Sequence, residues 1–354
     1  MDTKLPFDSL IKKYDYRFEG KVDFTLEEPF ERGNHLIVPL KDGRLLTCLN
    51  NKNRMYIWDL KTRKITLFLK GHRGIIRIIK ILENNRLASL SFDNTVKIWN
   101  TSTGKCEYTL QHDNTIESMC IFSNLIITGE SYNPDPKVRV WNPDTGKCNL
   151  IISGNLGGVG SIIVGKNKII CSSGNYIHKE YKIRIWDLHT GISLGVLEGH
   201  TRHIKDLQIL DENTIVSSSV DGTLRIWDIN TNECKKIFSE HNGGITSFCI
   251  LSNGIIASGS YDTMGIPIND GNNKIIIRTD SNIEKIIDLN SSASIIKELP
   301  NGHLIVFDNS LKVFDMDSYE CQKSIENHKI TQLEILNDGR VVTVGDGQTI
   351  TIWK

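Results

Sequence analysis

The sequence lacks an excess of either charge, a long apolar run and a secretory leader. Its 42 Lys and Arg residues balance 42 Asp and Glu residues, so no global field draws the chain to nucleic acid or to an anionic membrane. No segment offers eighteen uninterrupted apolar residues, and the first twenty residues lack the apolar core of a signal peptide. We therefore expect a soluble protein of the cytoplasm or nucleus, without membrane or specific nucleic-acid partners.

Metal and disulfide motifs are also missing. No two of the eight cysteines have the close spacing of a structural zinc motif, and the ten histidines are scattered. Four cysteines occupy one recurring position of the sequence: Cys106, Cys148, Cys234 and Cys321. Equivalent positions in different repeats are held apart, so we expect reduced thiols, no metal and no cofactor.

Two segments of equal length organise the chain. They are GHRGIIRIIKILENNRLASLSFDNTVKIWN, from Gly71 to Asn100, and GHTRHIKDLQILDENTIVSSSVDGTLRIWD, from Gly199 to Asp228. Each contains three runs rich in Ile, Leu and Val that are separated by short polar turns, which predicts a three-stranded meander. Each begins with Gly-His and ends with Trp followed by Asn or Asp.

This frame resembles the WD-repeat β-propeller family, whose period is about 40–45 residues. The resemblance implies an all-β fold in which residues 20–354 form one propeller after a short N-terminal extension, residues 1–19. The third strands of successive units end at Trp58, Trp99, Trp141, Trp186, Trp227, Arg278, Phe314 and Trp353. Eight four-stranded blades are predicted, or seven if the unit that ends at Arg278 or Phe314 is not a blade.

The ring needs a strand from the N-terminal end. The last repeat stops one residue after Trp353, so it lacks the outer strand that follows the Trp elsewhere. Residues 20–27, GKVDFTLE, match those outer strands. Because an unpaired sheet edge promotes aggregation, the resemblance implies that residues 20–27 close the ring beside the strand ending at Trp353.

A Ser, His and Asp set invites a catalytic interpretation, since these residues build nucleophilic triads. The set occurs twice with one spacing, as His72, Ser89, Asp93 and Trp99 and as His200, Ser217, Asp221 and Trp227. A catalytic arrangement is singular, so a set that recurs from repeat to repeat indicates scaffold. The resemblance implies that each set is a buried hydrogen-bond chain, and we expect no catalytic residue.

Basic residues recur two positions before the Trp of four units. They are Lys97, Arg139, Arg184 and Arg225. Side chains alternate along a strand, so we interpret these residues as structural and as lying at a solvated blade edge.

A partner surface is implied on the top face, where the family places the loops between strands b and c and between strands d and a. The positions that project there are Arg77, Phe92, Lys205, Val220, Thr246, Tyr261 and Phe307. Several exposed aromatic rings would form an apolar platform for a protein or peptide. The long b–c connections at 131–136, 174–181 and 263–273 either mark this binding side or reflect the tolerance of loops for insertion.

The sequence thus predicts a non-catalytic protein–protein interaction scaffold, a monomeric propeller within a larger complex. One alternative is the substrate-recognition subunit of a ubiquitin ligase, because similar propellers in F-box ligases grip phosphorylated peptides with arginines from these positions. Here only Arg77 and Lys205 match in charge. A second alternative is a propeller enzyme with a site in the central channel, which would require converging acid–base groups.

Overall fold

The computed structural model describes residues 18–26, 35–49, 53–131, 134–153, 157–173, 180–261, 273–279, 281–289, 291–326, 330–345 and 349–354. Within these ranges the chain forms 32 β-strands. None of the described segments is a helix that could cross a membrane. Most of the extension 1–19 and parts of the three long b–c connections lie outside the described residues.

The strands form eight antiparallel sheets of four. Blade 1 contains β2 (His35–Pro39), β3 (Leu45–Leu49), β4 (Arg54–Asp59) and β5 (Lys64–Lys70). Blade 2 contains β6 (Ile76–Ile81), β7 (Arg86–Ser91), β8 (Thr95–Asn100) and β9 (Cys106–Gln111). Blade 3 contains β10 (Ile116–Phe122), β11 (Leu125–Glu130), β12 (Val138–Asn142) and β13 (Lys147–Ile152). Blade 4 contains β14 (Val159–Gly165), β15 (Lys168–Ser173), β16 (Ile183–Asp187) and β17 (Ser193–Leu197).

The second half of the ring repeats the arrangement. Blade 5 contains β18 (Ile204–Ile209), β19 (Thr214–Ser219), β20 (Leu224–Asp228) and β21 (Glu233–Phe238). Blade 6 contains β22 (Gly244–Ile250), β23 (Ile256–Tyr261), β24 (Lys274–Arg278) and β25 (Ile283–Asp288). Blade 7 contains β26 (Ile295–Glu298), β27 (Leu304–Phe307), β28 (Leu311–Phe314) and β29 (Cys321–Ile325). Blade 8 contains β30 (Ile330–Ile335), β31 (Val341–Gly345), β32 (Ile350–Trp353) and β1 (Val22–Leu26).

Each blade orders its strands a, b, c and d from the inside outwards. First strands of neighbouring blades contact one another, as β10 contacts both β6 and β14, so these strands surround the central channel. Fourth strands lie at the rim, each paired along one edge only. The prediction of eight blades is confirmed, and the units that end at Arg278 and Phe314 are both complete.

The N-terminal strand closes the ring as predicted. β1 pairs antiparallel with β32, with Val22 opposite Trp353 and Leu26 opposite Ile350. The amide of Gly20 donates to the carbonyl of Lys354 at 2.8 Å, which extends the pairing. Blade 8 is therefore built from both ends of the described chain.

The core lies between the blades, because both faces of each sheet pack against a neighbour. All six residues of β7 and all six of β19 are buried. All eight cysteines belong to the described residues, and no disulfide joins any of them. Hydrophobic packing and inter-strand hydrogen bonds thus hold the ring together.

Blade 6 replaces the third-strand Trp by a buried arginine. Arg278 is 1% exposed, and its guanidinium donates to both oxygens of Glu240 at 2.9 and 3.2 Å. The same guanidinium lies 4.2 Å from the centre of the Phe238 ring. A planar cation with a fork of donors can fill the place of an indole when a carboxylate and an aromatic ring receive it.

Truncation of this arginine should destabilise the blade. We expect Arg278→Ala to lower the free energy of unfolding by about 2 kcal/mol, because it leaves a cavity and removes the partner of a half-exposed carboxylate. Arg54→Ala, an exposed arginine of β4, is the matched control and should change stability by less than about 0.5 kcal/mol. Equal urea midpoints for the two variants would contradict the role assigned to Arg278.

Candidate functional site

The two Ser, His, Asp and Trp sets form the same hydrogen-bond chain. In blade 2, His72 Nδ1 lies 2.8 Å from Asp93 Oδ2 and Nε2 lies 2.7 Å from Ser89 Oγ, while Trp99 Nε1 donates to Ser89 Oγ at 2.8 Å. The Asp93 carboxylate can only accept, so His72 Nδ1 donates to it, and the Nε2 of a neutral His72 ring accepts from the Ser89 hydroxyl.

Blade 5 repeats this geometry. His200 Nδ1 lies 2.7 Å from Asp221 Oδ2 and Nε2 lies 2.7 Å from Ser217 Oγ, and Trp227 Nε1 donates to Ser217 Oγ at 2.8 Å. The exposed fraction of both serines, Ser89 and Ser217, is 0%. A hydroxyl without exposed surface is not placed to attack a substrate, so each chain is structural and joins the strands and turns of its own blade.

The carboxylates of the chains are strongly stabilised as anions. Burial alone would raise the pKa of Asp93, but hydrogen bonds from His72, Thr95 and the amide of Arg73 outweigh burial and hold that pKa well below its usual range. Asp221 receives the corresponding bonds from His200, Thr223 and Thr201. Each carboxylate therefore ties the turn before strand a to the b–c turn of its own blade.

A β-bulge near the start of strand a determines the direction of one side chain in several blades. The pairing of β6 with β7 skips from Ile76 to Ile78, and equivalent shifts occur in blades 3, 5, 6 and 8. The residues at these shifts are Arg77, Glu117, Lys205, Thr246 and Thr331. A bulge redirects the extra side chain, and two of these residues reach the next blade: Arg77 contacts Glu117 of blade 3, and Thr246 contacts the Ala293 carbonyl of blade 7.

Within the described residues, the blade-2 patch, which we define as Ile75, Arg77 and Phe92, presents exposed apolar surface on the top face. Phe92 is 48% exposed and Ile75 is 41% exposed, and the Phe92 amide donates to the Ile75 carbonyl at 2.9 Å. The Arg77 guanidinium lies 4.9 Å from the centre of the Phe92 ring. The b–c turn and the d–a loop are thus fastened together at the top face, and both present apolar side chains.

Arg77 is also paired with the next blade. Its guanidinium donates to the two carboxylate oxygens of Glu117 at 2.8 and 2.9 Å, and this bond raises the pKa of Arg77. The bidentate contact fixes the guanidinium over Phe92. It also neutralises the charge of Arg77. The patch therefore offers the apolar side chains of Ile75 and Phe92 next to the Arg77–Glu117 ion pair.

Blade 5 carries a smaller version of the patch. The Val220 amide donates to the His203 carbonyl at 2.9 Å, as Phe92 does to Ile75, but Val220 is only half-buried and Lys205 is exposed. The His203 ring lies beside Gly160, which has no side chain to displace it. Burial lowers the pKa of His203, and Lys205 lowers it further while Glu117 raises it. Glu117, His203 and Lys205 therefore share one electrostatic neighbourhood at the channel mouth.

Sequence reasoning missed Ile75 and His203. Each lies two residues before the basic residue of its strand-a bulge, Arg77 or Lys205. Comparing the two complete repeats at this position would have found them, because the amide of the residue before the turn Asp needs an acceptor there.

Two of the predicted partner-binding residues, Thr246 and Tyr261, belong to blade 6. The Thr246 hydroxyl donates to the Ala293 carbonyl at 2.8 Å, which links blade 6 to blade 7. Tyr261 is the residue of blade 6 that corresponds to Phe92, and its backbone pairs with Gly244. The Tyr261 side chain, Asp262 and residues 263–272 lie outside the described residues, so the predictions for them stay predictions.

The prediction that Phe307 projects onto the top face is wrong. Phe307 is 5% exposed and packs in the core between blades 7 and 8. It pairs with Leu311 at the end of its strand, as Ser91 pairs with Thr95 in blade 2. Phe307 therefore corresponds to Ser91 rather than to Phe92, and a shift of one residue reverses the direction of a strand side chain.

Strand a of blade 5 carries a half-buried carboxyl group, Asp206. Burial raises the pKa of Asp206, which receives hydrogen bonds from Gln208 Nε2 at 3.1 Å and Ser161 Oγ at 3.4 Å. A cavity of about 370 Å³ lies nearer blades 1, 2 and 8 and is lined by Arg77, Lys80, Glu334 and aliphatic side chains. Across the described residues, no group of three His, Cys, Asp or Glu side chains could hold a metal ion.

Comparison with known families agrees with the ring of blades. The family model described as WD domain, G-beta repeat matches residues 63–100, 191–228 and 232–264. The chain contains WD repeats at these residues. Proteins of this family are generally scaffolds without enzymatic activity, and they bind protein partners within complexes.

Relatives of this WD-repeat propeller are similar over limited segments. The WD repeat-containing protein 89 homolog of Dictyostelium discoideum is 27% identical over 123 residues, which is 34% of this chain and 34% of that protein. The match thus spans about a third of the relative's length.

Solved structures support the fold. The crystal structure of the computationally designed Ika8 protein aligns with a TM-score of 0.75 at 22% identity and covers 90% of this chain and 94% of Ika8. The WD40 β-propeller domain of Doa1 aligns with a TM-score of 0.57 at 19% identity and covers 81% of this chain and 94% of that domain. At these identities the likeness concerns the propeller fold alone.

Proposed function

We propose that this propeller is a non-catalytic scaffold that binds a protein or peptide partner on its top face, with the blade-2 patch at the centre. The observation that carries the proposal is the Phe92 ring, which is 48% exposed yet fixed by Arg77 at 4.9 Å. Rigid aromatic side chains that are ordered before binding are the usual anchors of protein interfaces, because little conformational entropy is lost when a partner covers them.

The chemistry of the patch favours an apolar anchor on the partner. Phe92 and Ile75 offer aromatic and aliphatic surface, whereas the charge of Arg77 is neutralised by its ion pair with Glu117. A phosphate cradle requires several converging free donors, so this pairing counts against phosphopeptide binding at Arg77. We infer that the partner inserts a Leu, Met or aromatic side chain against Phe92 and Ile75.

The channel-enzyme alternative has less support. The raised pKa of Asp206 is the expected property of an acid–base group. Its hydrogen-bond partners, Gln208 and Ser161, are neutral. Neither supplies a second titrating group for acid–base catalysis.

The proposal can be tested by site-specific photo-crosslinking in an extract of the host cells. A photoreactive phenylalanine analogue would replace Phe92 in one variant and Phe68 in another. Phe68 is the matched control, because it is a 62% exposed phenylalanine on the rim strand β5. We expect a defined protein to be captured from position 92 and not from position 68. Identical sets of captured proteins would overturn the proposal.

Once that protein is purified, Phe92→Ala should weaken its binding by about 2 kcal/mol, roughly 30-fold, which is the loss typical of a hot-spot aromatic residue. Phe68→Ala should leave the dissociation constant unchanged. Titration calorimetry on the folded variants measures both values. Equal affinities of the wild type and Phe92→Ala would place the binding surface elsewhere on the ring.

A further inference from the structure

The cavity of about 370 Å³ is lined by the a strands of blades 1, 2 and 8, and its volume falls within the ~300–1,000 Å³ of small-molecule sites. Side chains two positions apart on a strand point the same way. Leu36 and Val38 of β2 therefore share one side, and Ile37 between them packs in the core between blades 8 and 1. The apolar wall of the cavity consists of five residues: Leu36, Val38, Pro39, Ile78 and Ile81.

Three polar side chains of the cavity already have their partners. Gln332 Oε1 accepts from the Ile37 amide at 2.8 Å, and Gln332 Nε2 donates to the Ile37 carbonyl at 3.1 Å. Glu334 accepts from Lys297 Nζ at 2.7 Å. Arg77 forms the bidentate ion pair with blade 3 that is described above. These groups are fixed, and none of them leaves an uncompensated charge.

Lys80 is the charged side chain of the cavity that lacks such a partner. Within the part of the chain that the structure describes, its ammonium has no hydrogen bond and no ion pair. Its equivalents, two residues before the leucine at the a–b turn, are Val38, Lys297 and Glu334 in blades 1, 7 and 8. Lys297 and Glu334 neutralise each other. The neighbours of Lys80 at this position, Val38 and Cys120, carry no charge, so Lys80 brings one uncompensated positive charge to the cavity.

Two titrating groups show where the charge of Lys80 acts. Burial raises the pKa of Cys120 in blade 3, and Lys80 lowers it. Burial also raises the pKa of Asp206 in blade 5, and the hydrogen bonds it accepts and, by a smaller amount, Lys80 lower it. Blades 2 and 5 are not adjacent, so the ammonium acts across the inside of the ring. Asp206 accepts from Gln208 and Ser161 and has no contact with Lys80.

We propose that this cavity binds a small carboxylic acid with a short aliphatic chain, its carboxylate on the Lys80 ammonium and its chain against Leu36 and Val38. A cation beside apolar walls attracts an anion more strongly than a cation in open water does, and the wall favours a hydrocarbon chain over water. A phosphate site needs several converging donors, whereas Lys80 is a single free donor. The site shares only Arg77 with the blade-2 patch, so the proposal goes beyond the top-face function.

Hexanoate is the probe, and ligand-observed NMR titration measures its binding. We expect a dissociation constant on the order of 1 mM, which is a usual affinity for a ligand of this size. Butanoate, shorter by two methylene groups, should bind about tenfold more weakly. Hexan-1-ol and hexylammonium, which lack the anion, should also bind at least about tenfold more weakly. Absence of hexanoate binding up to about 10 mM, or equal affinities of butanoate and hexanoate, would overturn the proposal.

Two methionine variants test the role assigned to Lys80. Lys80→Met removes the charge but keeps an unbranched side chain, so it should weaken hexanoate binding at least about tenfold. Lys147→Met is the matched control, because Lys147 is an exposed lysine at the start of the rim strand β13, and it should bind hexanoate as the wild type does. Equal affinities of the two variants would contradict the contact with Lys80.

Val38→Phe tests the cavity separately from the charge. The larger side chain would fill part of the cavity and leave Lys80 in place, so hexanoate binding should weaken at least about tenfold. Val196→Phe is the matched control, since Val196 lies on the rim strand β17 and is 39% exposed, and it should bind as the wild type does. A Val38→Phe variant that bound hexanoate with wild-type affinity would show that the chain does not enter the cavity, against the proposal.

Discussion

Phe24→Ala combined with Leu26→Ala is expected to lower the free energy of unfolding by about 5 kcal/mol, because both substitutions leave cavities in the core. Both side chains are buried, at 8% and 2% exposure, in the core between blades 8 and 1. They hold β1 beside β32, and loss of β1 would also open the edge of β32 to aggregation. Urea unfolding followed by tryptophan fluorescence measures the change.

Thr25→Ala is the matched control for this pair. Thr25 lies between the two residues on the same strand and is exposed, so its truncation should shift stability by less than about 0.5 kcal/mol. If the double variant and Thr25→Ala had the same urea midpoint, β1 would not be the element that closes the ring.

The blades could be predicted because turn residues mark the ends of the strands in the sequence. Two complete repeats set the period, and the period then located blades whose third strands end at Arg278 and Phe314. Alternation, turn residues and spacing predict the strands and the period. The ring of blades and its closure by residues 20–27 were implied by the resemblance to WD-repeat propellers, together with the cost of an unpaired sheet edge.

The top-face surface was harder because one residue of register decides the direction of a side chain. Phe307 precedes an Asp, as Phe92 does, but its strand ends one position later relative to the turn. The ion pair of Arg77 with Glu117 joins two blades whose residues are forty positions apart. An alignment of repeats compares equivalent positions, and it does not show which side chains meet across a blade boundary.

The solvated edge expected for the recurring basic residues is wrong for Arg139. Arg139 is 5% exposed and pairs with the buried Glu130 and with Asp113. Blade 3 has no Asp in the place of Asp93, so the buried ion pair links strands b and c where the Asp chain is missing. The structural role expected for this position holds, but its environment depended on Glu130, which no periodic pattern indicated.

Lowering the pH from 6.5 to 4 is expected to cost this protein about 5 kcal/mol of stability through two buried histidines, His112 and His241. Burial, together with Arg139 beside His112 and Arg278 beside His241, lowers the pKa of each to about 4. Between these pH values the unfolded chain binds more protons at these two sites than the folded ring does, so acid favours unfolding. A displacement of that size corresponds to about 2.5 kcal/mol per histidine over this pH interval.

His112→Gln separates this effect from general acid denaturation. A glutamine can hydrogen-bond the Thr128 hydroxyl, which lies 2.9 Å from His112 Nε2, but it does not titrate. The variant should therefore lose less stability than the wild type between pH 6.5 and 4, by about 2.5 kcal/mol, in urea unfolding at each pH. His189→Gln, at an exposed histidine, should keep the wild-type slope. The carboxylates of Asp93 and Asp221 lower the free energy of unfolding only below the ordinary aspartate pKa of 3.8. If His112→Gln lost as much stability as the wild type between pH 6.5 and 4, His112 would not be a source of the pH dependence.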